Sequence, residues 1–97
     1  MTDGETTVSW MAIEKGWKVM AADGEEIGEV YDVRADRGRD IFDGLAVAHH
    51  AHFSLLHPHL EHPRYVAAEQ VHDIQPGVVH LAVTTDESTL LPQHETA

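Results

Sequence analysis

The stretch Asp23-Gly24-Glu25-Glu26-Ile27-Gly28-Glu29-Val30-Tyr31-Asp32-Val33-Arg34-Ala35 decides how this chain is read. It opens on Asp-Gly, a dipeptide that tolerates positive φ and so marks a tight hairpin turn. Residues 26–35 are ambiguous by period alone, because Ile27, Val30 and Val33 recur every third residue, which suits one face of a helix. Composition decides for a strand there. β-branched residues supply the apolar positions, and Gly28 lowers helix propensity. A bulge at Gly28, where the alternation of side chains switches, reconciles the spacing with a strand. Asp23, Gly24 and Gly28 are therefore expected to shape the turn and the bulge rather than to carry chemistry.

Working outward, Trp17-Lys18-Val19-Met20 reads as the strand before the turn. Asp36-Arg37-Gly38-Arg39-Asp40 is the next turn, and Phe42 to Ala48 a third strand. Leu45 and Val47 share one face of it; Gly44, Ala46 and Ala48 on the other are small enough to admit a second layer or a tight bend. Arg64 to Ala67 is a fourth strand, Ala68-Glu69-Gln70 a single helical turn, and Val71 to Ile74 a fifth strand. Gln75-Pro76-Gly77 is a turn by its Pro-then-Gly order, and Val78 to Thr84 the last strand. Five to six short antiparallel strands must hide their edges, so an all-β small barrel is expected. Its core would be Trp17, Val19, Ile27, Val30, Val33, Leu45, Val47, Val66, Val71, Ile74, Val79, Leu81 and Val83. The organisation expected is a flexible tail over 1–9, one domain over 10–84 and a flexible tail over 85–97, with Leu90 and Leu91 the two tail residues able to dock on the body.

A chain of 97 residues makes one small domain. It has no cysteine, so neither disulfides nor thiolate metal sites arise. No apolar run nears the ~20 residues of a membrane-crossing helix, and the acidic start, Met1 to Thr7, lacks the pattern of a signal peptide. A cytoplasmic location is the expectation. Six Lys and Arg against seventeen Asp and Glu give a formal charge of −11. Such a surface repels phosphate backbones, and no basic cluster offers an exception, so direct nucleic-acid binding is not expected.

No catalytic residues are expected. Ser9 and Ser54 lack the glycines of a nucleophile elbow, and no glycine-rich phosphate loop exists. The chemistry-bearing feature is instead residues 49–62, His-His-Ala-His-Phe-Ser-Leu-Leu-His-Pro-His-Leu-Glu-His, in which six of fourteen residues are histidine. Neutral imidazole suits zinc or nickel, and His49, His52, His57, His59 and His62 supply enough donors for a site. Their spacing matches no strict zinc motif, and Pro58 and Pro63 interrupt any single helix face. The plain alternative is a polar loop whose histidines face water. Adding nine protons would take the charge from −11 to −2, so association would become easier in mild acid by whole-molecule charge alone. The same insert carries Phe53, Leu55, Leu56 and Leu60, more apolar bulk than a solvated loop needs. They read as a plug on the barrel end, as a partner surface, or as a mixture of the two.

The elements Gly16-Trp17-Lys18-Val19, Asp23 to Val33, Asp43-Gly44-Leu45-Ala46-Val47, Tyr65 to Val71 and Val78-Val79-His80-Leu81 resemble the PRC-barrel family over residues 13–84. The chain departs from it at Ala67, where relatives often carry proline, and in the histidine insert. The resemblance implies a small SH3-like β-barrel with no shared catalytic set, whose usual task is docking onto other proteins. The expected function is thus a non-catalytic interaction module with protein partners, self-associating as a homo-dimer or higher oligomer. One competing reading is a metal- or pH-responsive protein using zinc or nickel at 49–62. Another is a ligand cleft between barrel and insert, lined by Trp17 and Tyr65.

Overall fold

The computed structural model describes residues 8–94, so the expected N-terminal tail lies outside the described residues except for Val8 and Ser9. Six strands form one sheet: β1 Lys18–Met20, β2 Glu26–Asp36, β3 Ile41–His49, β4 Arg64–Ala67, β5 Val71–Gln75 and β6 Val78–Leu81. Their spatial order is β4-β3-β2-β1-β6-β5, and the sheet curls into a half-barrel. A short helix α1, Ala51–Leu56, and a 3-10 turn, Pro58–Glu61, form the insert between β3 and β4. A second short helix α2, Thr85–Ser88, follows β6.

The period of three in β2 has a physical explanation, and it takes more than one bulge. Against β1, Val19 pairs with Gly28 and Met20 with Glu26, so Ile27 is the extra residue. Against β3, Val30 pairs with Val47 and Asp32 with Ala46, so Tyr31 is extra. Each extra residue resets the side-chain alternation. That is how Ile27, at 0% exposure, and Val30, at 2%, both face inward, with Val33 packed against the same core. Gly28 is required for a closer reason: a Cβ there would lie 2.1 Å from the Ala48 carbonyl oxygen on β3. Gly24 takes φ +88, which permits the turn that Ala21 closes by accepting from the Gly24 amide at 2.9 Å.

One expectation about topology is corrected. The strands are not all antiparallel, since β1 and β6 run parallel with Lys18 opposite Val78 and Met20 opposite His80. A parallel pair needs a long crossover and leaves no local turn signal, so no short stretch announces it.

The tail expected over 85–97 is also corrected for 85–94, which pack on the body. Thr84 caps α2 by accepting from the Glu87 amide, and Glu87 Oε1 accepts from the Thr84 amide in return. Leu91 is buried, Tyr65 N–H donates to the Pro92 carbonyl at 2.7 Å, and His94 N–H donates to the Pro63 carbonyl at 2.9 Å. This segment covers the outer edge of β4. At the opposite edge, Val8 N–H donates to the Ile74 carbonyl of β5 at 2.8 Å. Bare edges invite unwanted strand pairing; the β4 edge is covered by residues 92–94, and the β5 edge is met by this one bond from Val8. The expected core residues all belong to the core or pack against it, joined by Ile13, Phe53, Leu60 and Leu91.

Candidate functional site

The insert is an ordered structure rather than a polar loop. His50 keeps an extended backbone, φ −64 and ψ 154, and the next residues turn into α1. Phe53 N–H donates to the His50 carbonyl at 3.0 Å, and His57 N–H to the Phe53 carbonyl at 2.8 Å. Pro58 then opens the 3-10 turn, where its missing N–H costs little. Two short turns can aim only one large side chain each at the sheet. Phe53 at 8% exposure and Leu60 at 2% are those side chains. They plug the core, which corrects the expectation that they belong to a contact surface. Leu55 and Leu56 point outward at 82% and 77% exposure. Leu90, at 82%, follows Thr89, whose carbonyl lies 3.0 Å from His59 Nε2 and ties the C-terminal segment to the insert.

The histidines expected as a metal set do not converge: among the described residues, no three His, Asp or Glu side chains come together as a metal site. Each has a different setting. His49 ends β3 with Nε2 3.0 Å from Ser88 Oγ and its ring edge-on to Phe53. His50 Nε2 meets Glu26 Oε2 at 2.8 Å. The exposed His52 ring lies against Phe53 with centroids 4.1 Å apart. His57 and His59 contact each other edge-on at 5.8 Å, and His62 is exposed.

His49 and Ser88 form a contact that their separation in sequence concealed. Ser88 Oγ lies 2.6 Å from the Thr85 carbonyl and spends its one proton there. The His49 ring must then donate from Nε2, leaving Nδ1 bare, buried and without a partner. Burial, with Arg64, His50, His59 and His57 adding to it, lowers the His49 pKa to about 4, consistent with a neutral ring. Ser88 is fully buried, so its hydroxyl meets no substrate. The pair joins β3 to α2.

Two further residues organise the region without a sequence signal. Arg64 donates Nη2 to the His59 carbonyl and Nη1 to the Leu91 carbonyl at 3.4 Å, binding insert and C-terminal segment to β4. Asp23, expected only as a turn residue, also accepts from Thr85 N at 3.2 Å and Thr85 Oγ1 at 2.9 Å.

The expected cleft between barrel and insert is found in a different place. Tyr65 lines a groove of about 490 Å³, but its neighbours there are Arg34, Asp43, Glu69 and the C-terminal residues Pro92 to His94. Tyr65 Oη donates to the Asp43 carbonyl at 2.8 Å. Trp17 packs against the core instead. No family model matches the chain, and no curated protein matches it.

Proposed function

We propose that this chain is a protein-interaction module of the PRC-barrel type, non-catalytic and self-associating, with the outer side of the histidine insert as its contact surface. The curled six-stranded sheet and the Asp23-Gly24 turn with its Gly28 close approach support the PRC-type reading. One observation carries the interaction reading: Leu55 and Leu56 stand in water on a helix already anchored by Phe53. A solvated helix end has no need of adjacent leucines, and ordered apolar exposure favours docking because little entropy remains to be lost.

A Leu55→Asp, Leu56→Asp double variant tests this. Neither side chain is in the core, so the far-ultraviolet circular dichroism spectrum is expected to stay that of the parent. The mass in solution, read by light scattering, is expected to fall to that of one chain. An unchanged mass above one chain, or a parent that is itself a monomer, would refute the surface.

A further inference from the structure

We propose that residues 85–94 form a strap that lifts as a unit while the sheet stays folded, and that the β4 edge beneath it takes an extended segment of another protein chain. This edge is separate from the leucine surface of the insert and does not depend on it.

The end of the strap lies on β4 as half of an antiparallel ladder. Gln93 stands opposite Arg64. Tyr65 N–H donates to the Pro92 carbonyl at 2.7 Å, and His94 N–H donates to the Pro63 carbonyl at 2.9 Å. In an antiparallel ladder each such pair exchanges two bonds. Neither return bond can form here, because Pro92 and Pro63 have no N–H to donate. An extended segment with an ordinary residue in place of Pro92 supplies the donor that Pro92 withholds from the Tyr65 carbonyl.

The closed strap also leaves polar atoms unpaired. Among the described residues, the buried side-chain nitrogens with no hydrogen-bond partner are His49 Nδ1, Arg64 Nε and both ring nitrogens of His94. All of them lie where strap and body meet. His49 reaches Ser88, Arg64 reaches the Leu91 carbonyl, and His94 is the last described residue of the strap. The His94 side chain is 2% exposed, and Asp32 Oδ2, 3.7 Å from Nε2, is beyond hydrogen-bond reach. Buried polar groups are ordinarily paired. Closing the strap therefore carries a desolvation cost that lifting it relieves.

Little apolar area holds the strap down. Leu91 is its one residue in the hydrophobic core, and Leu90 is bare. The remaining holds are polar: Asp23 on Thr85, His59 on the Thr89 carbonyl and Arg64 on the Leu91 carbonyl. By contrast, β2, β3 and β4 share a core of Ile27, Val30, Leu45, Val47 and Val66, none more than 2% exposed. Segments that bury little apolar area open at the lowest free energies, as separate units. The occupant follows from what the closed strap supplies: a large apolar residue in the slot of Leu91, then extended backbone beside Tyr65 and Arg64. An added strand is held in the same way, by backbone bonds with a side-chain pocket for specificity.

Hydrogen exchange of the full chain, followed amide by amide by NMR, tests the strap. The proteins are the parent, Leu91→Ala, which removes the apolar hold, and His94→Phe, which keeps a ring and removes both nitrogens. In the parent, the amides of Tyr65 and His94 are expected to exchange faster than those of β2 and β3. Leu91→Ala is expected to speed these two amides at least ten-fold and to leave β2 and β3 unchanged. His94→Phe is expected to slow them about ten-fold. If Leu91→Ala fails to fold, Asp23→Ala, which releases Thr85, takes its place. Changes that run equally through β2 and β3, or the absence of either shift, overturn the strap. The edge is tested by calorimetry with a synthetic peptide copying residues 85–94 with Pro92→Val. It is expected to bind Leu91→Ala, or its replacement, about ten-fold more tightly than His94→Phe. The same peptide with Pro92 kept is expected to bind about five-fold more weakly. No binding to the loosened variant, equal binding to both variants, or equal binding of the two peptides overturns the docking edge. None of these results bears on the mass of the Leu55→Asp, Leu56→Asp variant, so the two surfaces stand or fall separately.

Discussion

Strand β3 and the insert adjoin one another in the chain and use their apolar residues in opposite ways. In β3, Leu45 and Val47 are both fully buried, and even Ala46 on the other face is covered. In the insert, two of four large apolar side chains are buried and two are left almost bare. The difference is one of geometry. A strand with period two hands every second residue to the core without choice. Helical turns of four to six residues have room for one inward side chain each, so adjacent residues such as Leu55 and Leu56 face away once Phe53 is fixed. Surplus apolar area in the insert is then available to something outside, whereas the apolar area of β3 is spent on stability.

The sharpest way to break that contrast is to truncate one leucine in each region. Leu45→Ala should cost about 3 kcal/mol in urea unfolding, from lost burial plus a cavity, against under about 0.5 kcal/mol for Leu56→Ala. Equal losses would mean that Leu56 is packed in solution.

Gly28→Ala should come next, at about 2 kcal/mol or more, because the added methyl meets the β3 backbone at Ala48 and neither strand can give way cheaply. A neutral result would show that the β2–β3 ladder loosens there, removing the rigid end from which the insert starts.

The junction between the regions is His49, and its protonation sharpens the comparison. Its pKa is about 4 in the fold, against an ordinary 6.5 in the unfolded chain. The unfolded chain binds the proton in that window and the fold does not, so stability is complete above about 6.5 and lost as pH falls toward about 4. The part traceable to His49 is roughly 1–2 kcal/mol, allowing for screening at a ring that is not wholly enclosed. Urea midpoints of the parent and His49→Gln at about pH 7 and 4.5 check it: the parent should lose more. Parallel losses would assign the acid sensitivity elsewhere.

Asp23→Ala should have the smallest effect, about 1 kcal/mol, by removing the acceptor for Thr85 N and Oγ1 at the start of α2. Thermal unfolding reads it. No change would mean that the Thr84–Glu87 capping box suffices for that helix.

Most strand positions are legible in the sequence, because their signals are local. Asp23-Gly24 and Pro76-Gly77 mark turns, and alternation marks β3 and β6. The period of three in β2 is readable as a strand with a bulge, although its resolution into separate bulges at Ile27 and Tyr31 depends on which partner each side of β2 faces. The insert is legible in composition and not in direction. Nothing in His49 to His62 says which apolar residues turn inward, or that His49 would be drawn to Ser88 and His50 to Glu26.

What the sequence alone determined is a mostly β body, its turns, its acidic balance and an insert with more histidine and leucine than solvation explains, since all of these rest on residue type and near-neighbour spacing. The tertiary structure alone decided the parallel pairing of β1 with β6, the docking of residues 85–94 over the β4 edge, the dispersal of the histidines and the outward turn of Leu55 and Leu56. Those depend on contacts between residues far apart in the chain, whose outcome is set by which surfaces remain free once the sheet has curled.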